Sequence, residues 1–466
     1  MGIPTVRVSR QTGAAATALL AALTLPGPSV WAQQGGEAGP PAEDITFTRD
    51  VAPIIQQNCV ICHREGSVAP MAFEGYRDVR RYARRIKNQV SRRLMPPYHL
   101  DTGVGIQEIK NDWRLSDEEI QTIVAWVDAG TPEGDPADLP APPVFEDRQM
   151  WQQEELLGPP DHVVASTPYD VPAEGGDRWW RPRVPIDIPT ERWVKAMEVR
   201  PSFPAGRQVV HHANPILLRK KAHLEHEGGA AMPDMDDGDE YQRMGNLSEY
   251  AMGKIGELVP SDAGRRLLPD DMIEWDTHYY PMGFDVQDDQ IELGIWFHPE
   301  GYKPEFEQNL RLYPLQGDIA LAPGGTAMTQ GFYRWDHPVR IDSYQPHGHV
   351  HLHGMSLQAI YPDGRTELLS MVSDFDARWH HSYIYDDDAA PLLPTGTVIV
   401  MTGWYENTAE NPLTDPEVWY ARGSRTIDEM SHAWIAVTHL TEEGHDKIAK
   451  DREDKARVVS QDDGGN

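Results

Sequence analysis

The chain has 466 residues, a formal net charge of -31 at pH 7 and a sequence pI near 4.9. A chain of this length is usually too long for a single hydrophobic core, so we expect about two or three domains. The acidic charge argues against a nucleic acid or an anionic membrane surface as a partner, because phosphate-rich surfaces attract clustered lysine and arginine.

The N-terminal 32 residues have the pattern of an export signal. Arg7 and Arg10 give a basic start, an apolar run from Ala14 to Leu25 follows, and a small-residue cleavage site ends at Ala32. The apolar run is shorter than the roughly 20 residues that a membrane span needs, and no later stretch approaches that length. We therefore predict a signal peptide over 1–32 and a periplasmic or secreted product without stable membrane insertion. An uncleaved anchor is the alternative.

Helical patterning predicts a small all-α domain over residues 44–140. Residues 76–90 form a basic run with helical spacing, and Ser116 to Glu119 is a capping box ahead of apolar residues spaced at i, i+3, i+4 and i+7. The proline, aspartate and alanine content of residues 132–144 is typical of an inter-domain linker.

The two cysteines of the chain lie inside this predicted domain. Cys59 and Cys62 are three positions apart, so they provide no disulfide framework for an exported protein. With His63 directly after them, they match the attachment motif of c-type haem, in which two thiols add to the vinyl groups and the histidine binds iron. A redox-active C-x-x-C and half of a zinc site are the alternatives. We predict covalent haem c with Met95 as the sixth ligand, and Met71 is the alternative ligand.

Beyond residue 160 the pattern changes to short strands. Runs rich in β-branched and aromatic residues, such as 291–297, 357–361 and 397–402, are separated by Pro, Gly and Asp. Many short strands with turn signals between them favour β-sandwiches.

Four short segments in this region carry candidate metal ligands. They contain His211 and His212, then His278, then His349 and His351, and finally Met430 in the sequence Asp428-Glu429-Met430. Side chains two apart share a face of a strand, whereas adjacent ones point to opposite faces unless the backbone turns. Three imidazoles suit a copper that cycles between two oxidation states, and two imidazoles with a thioether form a softer site that leaves room for dioxygen. Any one of these segments alone is compatible with ordinary packing.

The order and spacing of these segments resemble the ligand pattern of the ascorbate-dependent type II copper monooxygenases. This family includes peptidylglycine α-hydroxylating monooxygenase and dopamine β-monooxygenase. The resemblance covers residues 160 to 440 and includes the segment from Met401 to Asn407. It implies two jelly-roll β-sandwiches, over 160–325 and 326–445, with two coppers facing each other across a cleft. The electron-storing copper is then held by His211, His212 and His278. The oxygen-activating copper is held by His349, His351 and Met430, which makes these three the catalytic residues.

The predicted fold class is therefore multidomain, with a small all-α cytochrome c domain followed by two all-β jelly-roll sandwich domains. The predicted function is an exported haem- and copper-containing oxidoreductase that hydroxylates a carbon-hydrogen bond of a small molecule with dioxygen. Its own haem relays electrons from an external donor, either an ascorbate-like reductant or a redox protein. One alternative is a non-catalytic electron-transfer or copper-binding protein. Another is a cupin-like iron enzyme built on His349 and His351, with His353 and Glu367 as a poor match for the remaining ligands.

Two features depart from the animal members of that family. The copper region contains no cysteine, so their disulfides are absent. Additional histidines flank the last pair, and we interpret His347 and His353 as second-sphere groups or alternative ligands. The other histidines are expected to be structural or on the surface: His223, His226, His298, His380, His381 and His432.

Overall fold

A computed structural model describes residues 45–463, except 66–68, 70, 144–150, 203–204, 225–239, 252–253, 255, 316, 318, 424 and 426. The predicted signal peptide over 1–32 lies outside the described residues. Within the described part of the chain, no helix is both long enough and apolar enough to cross a membrane.

The described chain begins with helices that flank the C-x-x-C-H sequence. A π-helical turn, Phe47–Val51, leads into α1 (Ala52–Asn58), which is followed by α2 (Tyr76–Ser91) and α3 (Asp117–Asp128). The predicted capping box of α3 is confirmed, because Ser116 Oγ accepts from the Glu119 N–H at 3.1 Å and the Ser116 N–H donates to the Glu119 carboxylate at 2.8 Å. Apolar residues on the inner faces of these helices form one core, with Val51, Ile55, Val79, Ile123 and Trp126 among its members.

Strands form most of the remaining chain. Those before residue 315 are β1 (His162–Ala165), β2 (Tyr169–Val171), β3 (Arg178–Trp180), β4 (Arg183–Pro185), β5 (Arg192–Pro201), β6 (Val210–Lys220), β7 (Tyr241–Asn246), β8 (Tyr250–Ala251), β9 (Glu257–Leu258), β10 (Ala263–Leu267), β11 (Met272–Tyr279), β12 (Val286–Asp289), β13 (Ile291–Phe297) and β14 (Phe306–Pro314). Those after it are β15 (Ala320–Leu321), β16 (Thr326–Arg334), β17 (Val339–His347), β18 (Leu352–Ile360), β19 (Thr366–Val372), β20 (Tyr383–Ile384), β21 (Leu392–Leu393), β22 (Val398–Glu406), β23 (Tyr420–Ala421) and β24 (His432–His439). The further helices are a 3-10 turn (Pro136–Asp138), α4 (Glu154–Leu157), α5 (Gly206–Val209), α6 (Lys221–Leu224) and α7 (Glu442–Asp463).

One large sheet connects the two halves of the β region. Strand β14 pairs in parallel with β10 and antiparallel with β24, so strands from both halves belong to a single sheet of 16 strands among the described residues. A separate antiparallel sheet has the order β16-β22-β18-β19. One apolar core contains Val194, Ile273 and Leu293, and a second contains Tyr344, Leu357 and Val437.

The predicted fold class, a small all-α cytochrome c domain followed by two all-β jelly-roll sandwich domains, is wrong. The structure is mostly β with large sheets, and its 16-stranded sheet includes strands from both predicted sandwiches. The helical part does not form a clear all-α domain either, because the segment between α2 and α3 packs on the β region. Tyr98 and Leu100 join the second β core, and the N–H groups of Asp101 and Ile106 donate to carbonyls of β19 at 2.9 Å. Helical spacing is a local signal, and it gave no indication that the intervening segment needs a distant partner to bury its apolar side chains.

Candidate metal centre

A β-bulge brings the first two predicted copper ligands together. On the antiparallel strands β6 and β11, His212 lies opposite His278 and Val210 lies opposite Tyr279, so His211 is the extra residue of the bulge. The bulge supplies the backbone turn that two adjacent histidines need to face the same way. The Nδ1 atoms of His211 and His212 are consequently only 3.2 Å apart.

His211, His212 and His278, here called the first trio, have the geometry of a three-imidazole metal site. Each offers one ligand nitrogen, and these nitrogens all lie within 4.8 Å of one another. The ring centroids of His211 and His212 are each 5.1 Å from that of His278. Nitrogens bound tetrahedrally to one metal at about 2.0 Å lie roughly 3.3 Å apart, so little movement is needed to hold an ion.

Neighbouring side chains fix the orientation of His278. Its ring stacks on the indole of Trp179, with centroids 4.5 Å apart and planes within 4° of parallel. Its Nε2 lies 3.3 Å from Asp177 Oδ2. A carboxylate close to a metal-binding imidazole helps to fix its orientation and tautomer.

The first trio is uncharged at neutral pH, which is the form that binds metal. Burial, with a smaller contribution from neighbouring imidazoles, lowers the pKa of His211 to about 4, although its side chain borders solvent in the cavity. The same two causes hold the pKa of His212 well below its usual value. Burial also lowers the pKa of His278, and the carboxylate of Asp177 opposes this shift only in part.

The first trio opens into a small cavity of about 30 Å³ that other histidines also line. These additional residues are His347, Gly348, His349, Val350, Ala377 and His380. Six imidazoles of the described chain therefore face one cavity. The sequence predicted His211, His212, His278 and His349 as ligands, but nothing in it indicated that the distant His380 lies at the same cavity.

The second predicted copper site is only partly gathered at this cavity. His349 lines it, and its Nδ1–H donates to the Asp428 carbonyl at 3.0 Å, which leaves Nε2 free. His351 and Met430 are not among the described residues that line the cavity. The His351 ring packs against Tyr420, with centroids 4.1 Å apart.

A buried carboxylate connects the three residues predicted for that second site. Glu429 is fully buried, and its oxygens accept from the backbone N–H groups of His349 at 2.5 Å, His351 at 3.0 Å and Met430 at 2.8 Å. It also lies 3.3 Å from His351 Nδ1. In the sequence, Glu429 stands out only as the neighbour of Met430. Its role depends on a contact across about 80 residues, which no local pattern signals.

The C-x-x-C-H sequence follows α1 in a tight turn. The His63 N–H donates to the Cys59 carbonyl at 2.8 Å, and His63 Nδ1–H donates to the Met71 carbonyl at 3.0 Å. The His63 ring also stacks on Phe73 at 4.3 Å. An imidazole held through Nδ1 presents Nε2 as a ligand, so these residues fit an axial iron ligand beside two available thiols.

The alternatives for the two cysteines gain no support from the structure. Burial, followed by the neighbouring Cys62 thiol, raises the pKa of Cys59 to about 12, whereas reactive C-x-x-C pairs have lowered thiol pKa values. Neither cysteine belongs to a cluster of metal-binding side chains among the described residues, as half of a zinc site would require. Met95 is half-buried, in the segment after α2.

The remaining histidines have mixed locations. His353 is exposed, and His223 lies 3.5 Å from Asp270 at the surface. His226 lies outside the described residues. His298 contacts the Ala263 carbonyl at 3.2 Å, and His432 stacks on His347 with centroids 4.2 Å apart. Glu367, a candidate ligand of the iron alternative, instead accepts from the Tyr361 hydroxyl on the exterior.

Comparisons with known proteins assign no family to this chain. No family model matches it, and no curated protein matches it. Among solved structures, it is similar to PNGF-II at 8% identity and a TM-score of 0.26, over 60% of this chain and 66% of that one. It is also similar to the major capsid protein P2 of bacteriophage PM2 at 10% identity and a TM-score of 0.22, over 60% of this chain and 99% of that one. Similarities of this size define neither a fold nor a function.

Proposed function

We propose that this chain is a haem- and copper-containing oxidoreductase that acts as a copper-dependent monooxygenase on a carbon-hydrogen bond. The observation that carries the proposal is the first trio, whose three neutral imidazoles are already gathered at a cavity. Copper at this cavity would supply one-electron chemistry and dioxygen activation, and covalent haem at Cys59, Cys62 and His63 would supply single electrons.

The donor set favours copper over other common metals. Imidazole suits copper and zinc, whereas calcium and magnesium take oxygen ligands, which the first trio does not offer. Zinc has no redox chemistry, so the haem attachment sequence on the same chain favours copper. Asp177 and Trp179 hold His278 in one orientation, and such pre-orientation reduces the rearrangement that accompanies a change of oxidation state.

Contacts between the helical part and the cavity support the use of haem as an electron source. Tyr98 and Trp113, from the segment between α2 and α3, pack on His381 with ring centroids 6.1 and 5.2 Å away. His381 is the sequence neighbour of His380, which lines the cavity. Aromatic side chains therefore join the segment that follows Met95 to the cavity wall.

The remaining parts of the proposal concern partners and location. We propose a small molecule and dioxygen as the substrates. The external donor is an ascorbate-like reductant or a redox protein. We propose a periplasmic or secreted location, because attachment of c-type haem and the signal-like sequence over 1–32 both belong to an exported protein.

The test begins with the metal content of the full chain matured with haem and copper. We expect covalent haem and bound copper, with less copper in His212→Ala and no change in the surface variant His223→Ala. Reduced protein is then given isotopically labelled dioxygen and candidate substrates. A hydroxylated product that carries the label supports the monooxygenase.

Two results would change the conclusion. Copper binding and haem reoxidation without any labelled product, across a broad set of substrates, would favour the non-catalytic electron-transfer or copper-binding protein. Zinc as the metal of the purified chain, with no copper uptake by the apoprotein, would remove the copper proposal itself.

A further inference from the structure

The cavity is lined by a second trio of imidazoles, His347, His349 and His380. We propose that this second trio binds a second metal ion in the same cavity, without His351 and Met430. The inference depends on the proposed function only for the choice of copper as the ion, because the arrangement of imidazoles is independent of that choice.

His347 and His349 are placed by the end of a strand. Strand β17 ends at His347, and two residues further on His349 lines the same cavity, with ring centroids 5.8 Å apart. Gly348 between them is required by close packing, because a Cβ atom there would lie 2.7 Å from the Leu352 side chain. The turn therefore brings two imidazoles to one cavity through a residue that tolerates no side chain.

His380 completes the second trio from another segment. Its ring centroid lies 4.9 Å from that of His347 and 6.2 Å from that of His211 in the first trio. His347 and His380 are buried, at 6% and 5% exposure. Buried histidines this close to one another are costly unless their nitrogens are satisfied, and a shared cation would satisfy them together.

The nitrogens of the second trio are available to a ligand. His347 Nδ1 is buried and makes no hydrogen bond to any described residue. His349 is held through Nδ1 by the Asp428 carbonyl, so Nε2 carries a free lone pair. The stacked ring of His432, 4.2 Å away, limits rotation of His347. The site is thus oriented by its neighbours, as metal ligands usually are.

His351 is oriented toward different neighbours. Its ring packs on Tyr420, and it is not part of the described cavity lining, although neither of its nitrogens makes a hydrogen bond to a described residue. Recruiting it would require this fully buried ring to leave its packing. His347 needs no such change, because it already lines the cavity.

The second trio is more open than the first. Among described residues, only the first trio has a ligand nitrogen from each member within 4.8 Å of the others. A metal ion would therefore have to draw the second trio together, and we expect it to bind more weakly than the ion of the first trio. Two imidazole-bound ions in one cavity would both be accessible to a single small molecule.

The experiment is an anaerobic titration of the full apo-copper chain with Cu(I) against a competing chelator. We expect two ions for the wild type, with the second bound more weakly. His347→Ala and His380→Gln should each bind one ion, whereas His351→Ala and Met430→Ala should bind two. X-ray absorption of the loaded wild type should show nitrogen neighbours and no copper-sulfur component, and this readout requires no substitution.

Controls separate the failure of this site from the failure of the first. His353→Ala, which changes an exposed residue near the start of β18, should retain two ions, and the circular dichroism spectrum of each variant checks that it folds. Two ions in His347→Ala and His380→Gln, together with a copper-sulfur component that Met430→Ala removes, would overturn the proposal. A wild type that binds a single ion, lost in His212→Ala, would also overturn it while leaving the first site intact.

Discussion

At the scale of single residues, Glu429 shows how one buried group organises a loop. Its carboxylate accepts three backbone N–H bonds from His349, His351 and Met430, at 2.5 to 3.0 Å. Bonds to a charged acceptor are stronger than neutral ones, and removing such an acceptor leaves several buried donors unsatisfied. The positions of His349 and its neighbours are therefore fixed by a residue that does not line the cavity.

Replacing Glu429 by Gln should reduce the unfolding free energy by about 3 kcal/mol, since an amide offers one acceptor oxygen where the loop needs two. Copper binding by the first trio should remain, while binding that depends on His349 weakens. Urea unfolding and Cu(I) titration measure the two effects. Asp428→Asn is the matched control, because its side chain forms a surface ion pair with Arg425 and should change the stability by less than about 1 kcal/mol. Equal losses in both variants would contradict the role of Glu429.

The position of Met71 beside His63 bears on the choice of the sixth haem ligand. The Met71 carbonyl accepts from His63 Nδ1, so Met71 lies on the side of the imidazole that faces away from Nε2. A second protein ligand to the iron would have to come from elsewhere, which favours Met95. In the haem-loaded chain, Met95→Ala should remove the weak charge-transfer band of thioether-bound ferric haem and lower the reduction potential. Met71→Ala should leave both unchanged, and the reverse pattern would exchange the two assignments.

At the scale of strands and loops, the sequence predicted the members of the first trio as ligands but not how they meet. The segment that contains His211 and His212 predicts a strand, and adjacent side chains on a strand point to opposite faces. Only the pairing with β11 reveals the bulge, and that pairing joins residues more than 60 positions apart. The position of His380 is similarly determined by packing on β17, since nothing in its own sequence neighbourhood distinguishes it from the adjacent His381.

A second polar arrangement, at the end of β24, makes stability depend on pH. Asn309 Nδ2–H donates to His439 Nε2 at 2.6 Å, and His439 Nδ1–H donates to His337 Nε2 at 2.7 Å. Burial, followed by the charge of Arg311, lowers the pKa of His439 to about 3. Its unfolded pKa is about 6.5. As the pH falls below 6.5, His439 binds a proton in the unfolded chain but not in the folded chain. The free energy of unfolding therefore decreases.

We therefore expect the unfolding free energy to be highest above about pH 6.5 and to fall toward pH 4, with His439 contributing up to about 1.4 kcal/mol per pH unit. Urea unfolding of the metal-free chain at pH 7, 6 and 5 measures this slope. His439→Gln should show a shallower slope than the wild type, and the surface variant His223→Gln should not. Parallel slopes for all three proteins would mean that other groups control the acid response.

At the scale of the whole molecule, the helical part and the β region are joined through the segment between α2 and α3. The sequence predicts α2 and α3 correctly, because capping and helical spacing are local. It does not predict that Tyr98 and Leu100 belong to a core built from strands more than 200 residues away. The side chain of Trp113 reinforces this connection, since its Nε1–H donates to the Pro97 carbonyl at 2.8 Å and its ring packs on His381 at 5.2 Å.

Trp113→Ala should weaken this connection while leaving the helical core and the strands folded. Removing a partly buried indole costs about 3 kcal/mol. We expect the loss to fall on the segment itself, because the indole donates to the Pro97 carbonyl and packs on Tyr98 and His381. Hydrogen exchange measures it: the amides of Asp101, Ile106 and Lys110, which donate to β-region carbonyls at 2.8 to 2.9 Å, should exchange faster, while those of α2 and α3 keep their protection. Trp419→Ala, which removes an indole that is 66% exposed, is the control and should leave all of these rates unchanged. Faster exchange throughout α2 and α3 would instead mean that the helices depend on the β region for their folding, and unchanged exchange at the three amides would mean that their backbone bonds hold the segment without the indole.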